Sequence, residues 1–110
     1  MAIDPLDADF PDEELDRMTE NAARAASFLK AISHENRLMI LCHLVEGEKS
    51  VGELETLLDL RQASVSQQLS RLRLEGLVLP RREGKTIYYR LADDRSRRML
   101  SLVYDMFCTQ

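Results

Sequence analysis

A helix that ends in glycine and runs straight into a basic hairpin leaves this chain few folds to choose from. Residues 57–91 read LLDLRQASVSQQLSRLRLEGLVLPRREGKTIYYRL. Within them Val65, Leu69 and Leu72 recur at i, i+4 and i+7, which predicts a helix from about Gln62 to Glu75, closed by Gly76. Residues 77–81, a Glu83–Gly84 turn and residues 86–91 then predict two antiparallel strands, because Ile87, Tyr89 and Leu91 alternate with Thr86, Tyr88 and Arg90. Upstream, Ser50 and Glu53 have the form of a capping box, opening a short helix that carries Leu54, Leu57 and Leu58. Short helix, turn, helix and hairpin is the order of a winged helix-turn-helix, which sets one helix in a DNA major groove with a β-ribbon beside it.

The flanks predict more helix. Residues 1–12, with Pro5 and Pro11 among aspartates, offer little to bury and read as a mobile acidic tail ahead of one domain at 13–110. From about Glu13, the residues Leu15, Met18, Ala22, Ala25, Phe28, Leu29 and Ile32 keep helical spacing. Ser33 or His34 begins a second helix with Leu38, Leu41, Cys42 and Val45 on one stripe, ended by Gly47. After Asp93 and Asp94 a last helix presents Met99, Leu100, Leu102, Val103, Met106 and Phe107. The fold class is thus mainly α with a small β-hairpin wing. A domain of 110 residues has limited core to share between two wide apolar faces. The first and last helices are therefore the expected interface of a two-fold homodimer, which would offer two reading helices to a near-palindromic site.

The net charge of −4 is segregated. Residues 1–20 hold eight acids against Arg17, and residues 21–60 hold six acids against four bases. Residues 61–90 reverse the sign: Arg61, Arg71, Arg73, Arg81, Arg82, Lys85 and Arg90 face only Glu75 and Glu83. An ordinary solvated surface has no need of such a division, whereas phosphate binding does. Opposite the Val65 stripe, Ala63, Gln67, Ser70 and Arg71 point outward with Ser66 on the flank, a face whose donors and acceptors suit base edges and phosphates. Arg81, Arg82 and Lys85 crowd the hairpin tip, where they reach phosphates or a minor groove. Double-stranded DNA is the expected partner.

Other classes find less support. No apolar run approaches the roughly 18 residues of a membrane span. The opening MAIDPLDADF is acidic where a signal peptide is basic, so a cytoplasmic location is expected. Two cysteines 66 positions apart are no secreted disulfide framework. There is no Cys-x-x-Cys, no phosphate loop and no clustered acid/base pair, so neither an enzyme nor a cofactor is expected.

Residues 31–44 (AISHENRLMILCHL), 51–58, 62–79 and 84–91 (GKTIYYRL) together resemble the ArsR family of bacterial winged-helix repressors, over roughly residues 15–108. The resemblance implies a homodimeric repressor with the Gln62 helix in the major groove and the hairpin as wing. It carries DNA contacts onto Gln62, Ala63, Ser66 and Gln67. One departure is Arg61, which stands at the helix N-cap where the family usually has Ser or Thr; arginine is a poor cap, although it can contact a phosphate from there. Many members sense metals through a cysteine pair in the third helix, or through Asp and His of the last. Here those segments are Ser50-Val51-Gly52-Glu53 and a histidine-free stretch at 95–110. Zinc wants about four N or S ligands, and the adjacent Cys42 and His43 point about 100° apart on a helix. No metal site is expected.

Cys42 and Cys108 remain. Taken alone, a free cysteine on an apolar stripe is usually a small buried hydrophobe. Their placement, one in the second helix and one at the end of the last, resembles the dithiol, reactive-sulfur-sensing branch of the family (SqrR/BigR-like). That likeness implies that Cys42 and Cys108 react with persulfide or polysulfide donors, the small-molecule inducers, and become joined by a sulfur chain that releases the operator. A peroxide or disulfide sensor using the same cysteines, a metal-responsive repressor and an interaction module without regulated DNA binding stay open as alternatives.

Overall fold

The structure, a computed structural model, describes residues 12–109. The expected acidic tail lies outside the described residues apart from Asp12, which opens the first helix. Helix α1 spans Asp12–Ile32, with Asp12, Glu13 and Glu14 in its first turn and Lys30 in its last, as the helix dipole favours. Helix α2 spans Glu35–Val45; His34 caps it, its Nδ1 accepting the Asn36 N–H at 3.1 Å. The two-residue strand β1 (Lys49–Ser50) leads into α3 (Val51–Leu58), where the capping box forms in full. Ser50 Oγ accepts the Glu53 N–H at 3.0 Å, and Glu53 Oε1 accepts the Ser50 N–H at 2.9 Å. Those bonds from Ser50 hold the Glu53 carboxyl below the ordinary carboxylate range.

The turn between α3 and α4 (Gln62–Leu74) depends on Asp59, which adopts a left-handed conformation at φ 53°. Aspartate tolerates that region better than most residues. The reversal lets the Leu60 N–H bond back to the Glu55 carbonyl at 3.1 Å. At the far end of α4, Gly76 takes φ 73°. The Leu77 N–H then meets the Leu72 carbonyl and the Gly76 N–H the Arg73 carbonyl, both at 2.9 Å, which is a Schellman closure.

Strands β2 (Val78–Glu83) and β3 (Thr86–Leu91) pair antiparallel in a register that sets Glu83 opposite Thr86. The two-residue turn is therefore Gly84–Lys85, not the expected Glu83–Gly84. A tight hairpin demands positive φ at its first turn residue, and Gly84 supplies it at 61°. Glu83 consequently stays in the ladder, and Lys85 occupies the tip. The hairpin also has a third neighbour: β1 pairs with the free edge of β3, giving the order β1-β3-β2. Two residues carry no detectable alternation, so that strand has no sequence signal.

The core gathers Ile40, Leu41 and Leu44 of α2, Leu54 of α3, Val65, Leu69 and Leu72 of α4, Leu77, Val78 and Leu100. All three residues of the predicted α4 stripe are fully buried, so the opposite face is committed to solvent. Helix α5 (Arg95–Phe107) is anchored by Ser96 and Leu100. Much of the apolar surface on α1 and α5 stays uncovered, with Leu15, Met18, Leu29, Leu102, Met106 and Phe107 all exposed. Among the described residues, no helix is long and apolar enough to cross a membrane.

Candidate functional site

Gln62, Ala63, Ser66 and Gln67 are exposed on α4, as the burial of the Val65 stripe requires. A cleft of about 360 Å³ runs from the first turn of α4 to the hairpin and is lined by Gln62, Ser66, Lys85 and Thr86, with Ser50, Val51 and Gly52 beside them. The fold thus brings the start of the reading helix and the wing tip onto one concave face. Arg61 stands at the N-cap of α4 and its side chain makes no capping bond. The first N–H groups of α4 therefore lack a side-chain acceptor, and such a helix end favours an anion.

The basic residues expected at this face differ in their surroundings. Arg82 and Lys85 are exposed. Arg71 is half-buried: Nη2 lies 4.0 Å from Glu75 Oε1, and its enclosed Nε has no hydrogen-bond partner. Arg81 is clamped, with Nη2 2.6 Å from Glu48 Oε1, Nη1 2.8 Å from Glu83 Oε2, and Cζ 4.6 Å above the Tyr88 ring. The hydrogen bond from Arg81 holds the Glu48 carboxyl below its ordinary range.

Residues of α2 and α5 line an apolar groove of about 520 Å³, among them Leu38, Met39, Val45, Leu100, Val103 and Tyr104. Cys42 and Cys108 both open onto it. Cys42 is half-buried on α2, while Cys108 is exposed at the C-cap of α5. Burial pushes the Cys42 thiol up, and the nearby Cys108 pushes it further. Among the described residues, Arg97 is the only charged side chain in the lining. Its Nη2 donates to the Val45 carbonyl at 3.5 Å, and its Nε lies 3.5 Å from Asp94 Oδ1. Among the described residues, no three His, Cys, Asp or Glu side chains gather as a metal site would need.

Sequence reasoning missed Arg37, Gln68, Glu48 and Arg97. From α2, Arg37 donates to the Ala31 carbonyl, to Gln68 Oε1 at 2.9 Å and to the Lys30 carbonyl at 3.3 Å, tying the end of α1 to α4. Burial, then the neighbouring Arg71, hold its pKa below the usual arginine value. Gln68 lies 31 positions from Arg37, and Arg81 lies 33 from Glu48. No local pattern announces pairs so distant in the chain.

Residues 34–79 match the family model for the bacterial regulatory proteins of the arsR family. The biofilm growth-associated repressor of Agrobacterium fabrum is 49% identical over 94 residues, spanning 86% of this chain and 80% of that protein. The chain belongs to the ArsR family. The transcriptional activator HlyU of Vibrio cholerae is 43% identical to this ArsR-family chain, over 86% of it and 87% of the activator. Among solved structures, the transcriptional repressor BigR from Xylella fastidiosa superposes with a TM-score of 0.81 at 44% identity, covering 87% of this chain and 98% of BigR. A Mycobacterium bovis protein described as a homodimeric winged helix-turn-helix DNA-binding domain superposes with a TM-score of 0.73 at 32% identity, over 91% and 89% of the two chains. The expected winged helix-turn-helix and the expected family are both borne out. This ArsR-family protein is a transcriptional regulator and not an enzyme.

Proposed function

We propose that this ArsR-family regulator is a homodimeric, cytoplasmic repressor that holds operator DNA while its thiols are reduced and releases it when a sulfur chain joins Cys42 to Cys108. One observation carries the sensing half: two thiols 66 positions apart in the sequence open onto one groove. The exposed Cys108 thiolate attacks the central sulfur of a trisulfide, R–S–S–S–R, and expels RS⁻. The Cys42 thiolate then attacks that transferred sulfur and expels the second RS⁻. The product is Cys42–S–S–S–Cys108 with two RSH, so the cysteines are oxidised, the donor is reduced, and the chain gains one sulfur while losing two hydrogens. Longer polysulfides leave longer bridges. Because α2 packs on α4 while α5 carries an uncovered apolar face, tying α2 to α5 biases the spacing of the two reading helices.

The DNA half uses Gln62, Ala63, Ser66 and Gln67 on base edges, with Arg71, Arg82 and Lys85 on phosphates. Arg81 joins them once it leaves Glu48. Homodimerisation through α1 and α5 is supported by their exposed apolar residues and by the Mycobacterium bovis homodimer. Repression is preferred to activation because the Agrobacterium fabrum and Xylella fastidiosa relatives are both described as repressors.

The deciding experiment titrates operator DNA with reduced, peroxide-treated and polysulfide-treated protein, beside Cys42→Ser and Cys108→Ser variants, and weighs each product intact. Added sulfur with lost affinity in the wild type alone supports the proposal. Loss of two hydrogens alone with the same release makes the protein a peroxide or disulfide sensor. Unchanged affinity after polysulfide ends the sensing half. Exchange of Gln62 and Gln67 for Ala should weaken specific binding; unchanged specificity ends the DNA-contact assignment.

A further inference from the structure

The groove that holds the thiols is apolar except at one point. Apart from the two thiols, its walls are aliphatic and aromatic side chains with Ser101, and among the described residues Arg97 is the single charge on them. Arg97 sits in the first turn of α5, whereas Cys108 sits at the end of that helix, so the guanidinium and the exposed thiol lie toward opposite ends of one recess. Cys42 opens onto the space they share. Arg97 is not saturated. Its contacts are a 3.5 Å bond to the Val45 carbonyl and a 3.5 Å approach to Asp94, itself an exposed carboxylate. By contrast, Arg95 on the same helix turn is held by Asp93 through bonds of 3.0 and 3.1 Å. A loosely held, largely exposed guanidinium in the lining of an apolar groove gives an anion a charge partner.

We infer that Arg97 is a specificity-determining residue, which recruits sulfur donors carrying a negative charge and orients them along the groove between Cys42 and Cys108. The inference rests on the dithiol reading of the same groove. A donor whose carboxylate or terminal anionic sulfur pairs with Arg97 presents its sulfane sulfur to the space between the thiols. Cationic donors of equal length are repelled. The selectivity is thus one of charge, set by a residue that takes no part in the sulfur exchange itself.

The test compares two trisulfides of similar length, one made from 3-mercaptopropionate and one from cysteamine, so that the first carries two carboxylates and the second two ammonium groups. Reduced wild type, Arg97→Gln and Arg97→Lys are mixed with each, and bridge formation is followed by stopped flow and intact mass. Wild type and Arg97→Lys should react faster with the anionic donor. Arg97→Gln should lose about tenfold in rate with that donor, a typical size for steering by one charge, and gain rate with the cationic one. Alkylation of both thiols by a neutral reagent at wild-type rates verifies that the groove is intact. If Arg97→Gln slows both donors equally, or slows neither, Arg97 has no such role while the dithiol reading stands. If wild type forms no bridge with either donor, the dithiol reading falls and the inference falls with it.

Discussion

Arg81 on β2 and Glu48 in the loop after α2 meet fork to fork, with Nη2 2.6 Å from Oε1 and Nε 3.1 Å from Oε2. This pins the wing to the segment that follows the helix bearing Cys42. It also neutralises a cation that the sequence assigns to phosphate binding. In Glu48→Gln the clamp keeps only Glu83 on Nη1, and Arg81 Nε and Nη2 become free to meet a phosphate. Operator affinity should rise severalfold, and the plot of log affinity against log salt should steepen by about one unit, as one added phosphate contact requires. Fluorescence anisotropy across a salt series measures both. Adding Arg81→Ala to Glu48→Gln should return the slope to the wild-type value; a slope indifferent to Glu48 would leave Arg81 a purely structural residue.

Arg37 supplies the second link between distant elements. Its removal strands the Ala31 carbonyl and the amide oxygen of Gln68, while the Lys30 carbonyl keeps the Ser33 N–H and hydroxyl as donors. Arg37→Ala should destabilise the fold by about 1–3 kcal/mol, the usual cost of orphaning partly buried acceptors. Urea unfolding gives the number. Arg37→Lys should recover little, because an ammonium cannot span three acceptors set in a fork.

The contrast between these pairs and the core explains what the sequence made legible. Val65, Leu69 and Leu72 announced the buried face of α4 because helical periodicity is written into neighbouring positions. Ser50 and Glu53 announced the start of α3 for the same reason: the capping box is local. Local rules could not find β1, whose partners are Tyr88 and Tyr89 at the far side of the hairpin. Nor could they find Arg97, whose meaning comes from Cys42 and Cys108 across the groove. The hairpin turn lay between: Gly84 was legible as a turn residue, but whether it comes first or second depends on the register of the ladder. Cys42 and Cys108 were singled out by likeness to a family, and their common groove is a tertiary fact.

Leu102 sits 53% exposed on α5, where burial would repay its position only in an assembly. Leu102→Glu should leave the helical content of the chain unchanged and weaken self-association by tenfold or more, on the order of a central contact in an interface. Sedimentation velocity over a concentration series reports this. Leu57 provides the control, since it is 48% exposed and lies on α3, not on α1 or α5. Leu57→Glu should leave the association constant where it was. Equal behaviour of the two variants would move the interface away from α5.

The raised pKa of Cys42 makes bridge closure the pH-sensitive step. An acid whose pKa is pushed up is less ionised at neutral pH, so little Cys42 thiolate is present to attack the sulfur held by Cys108. Closure should speed up about tenfold per pH unit through neutrality and keep rising past the ordinary thiol value of about 8.5. Desolvation is the larger cause and persists throughout, whereas the repulsion from a Cys108 thiolate disappears once Cys108 is tied up in the trisulfide. The closure profile should therefore level off at lower pH than the alkylation of Cys42 by a neutral reagent in the reduced protein. Stopped-flow traces give the closure rate directly, and the Cys42→Ser variant isolates the capture step at Cys108. A closure rate already flat by about pH 7 would mean that Cys42 is not the buried partner in this exchange.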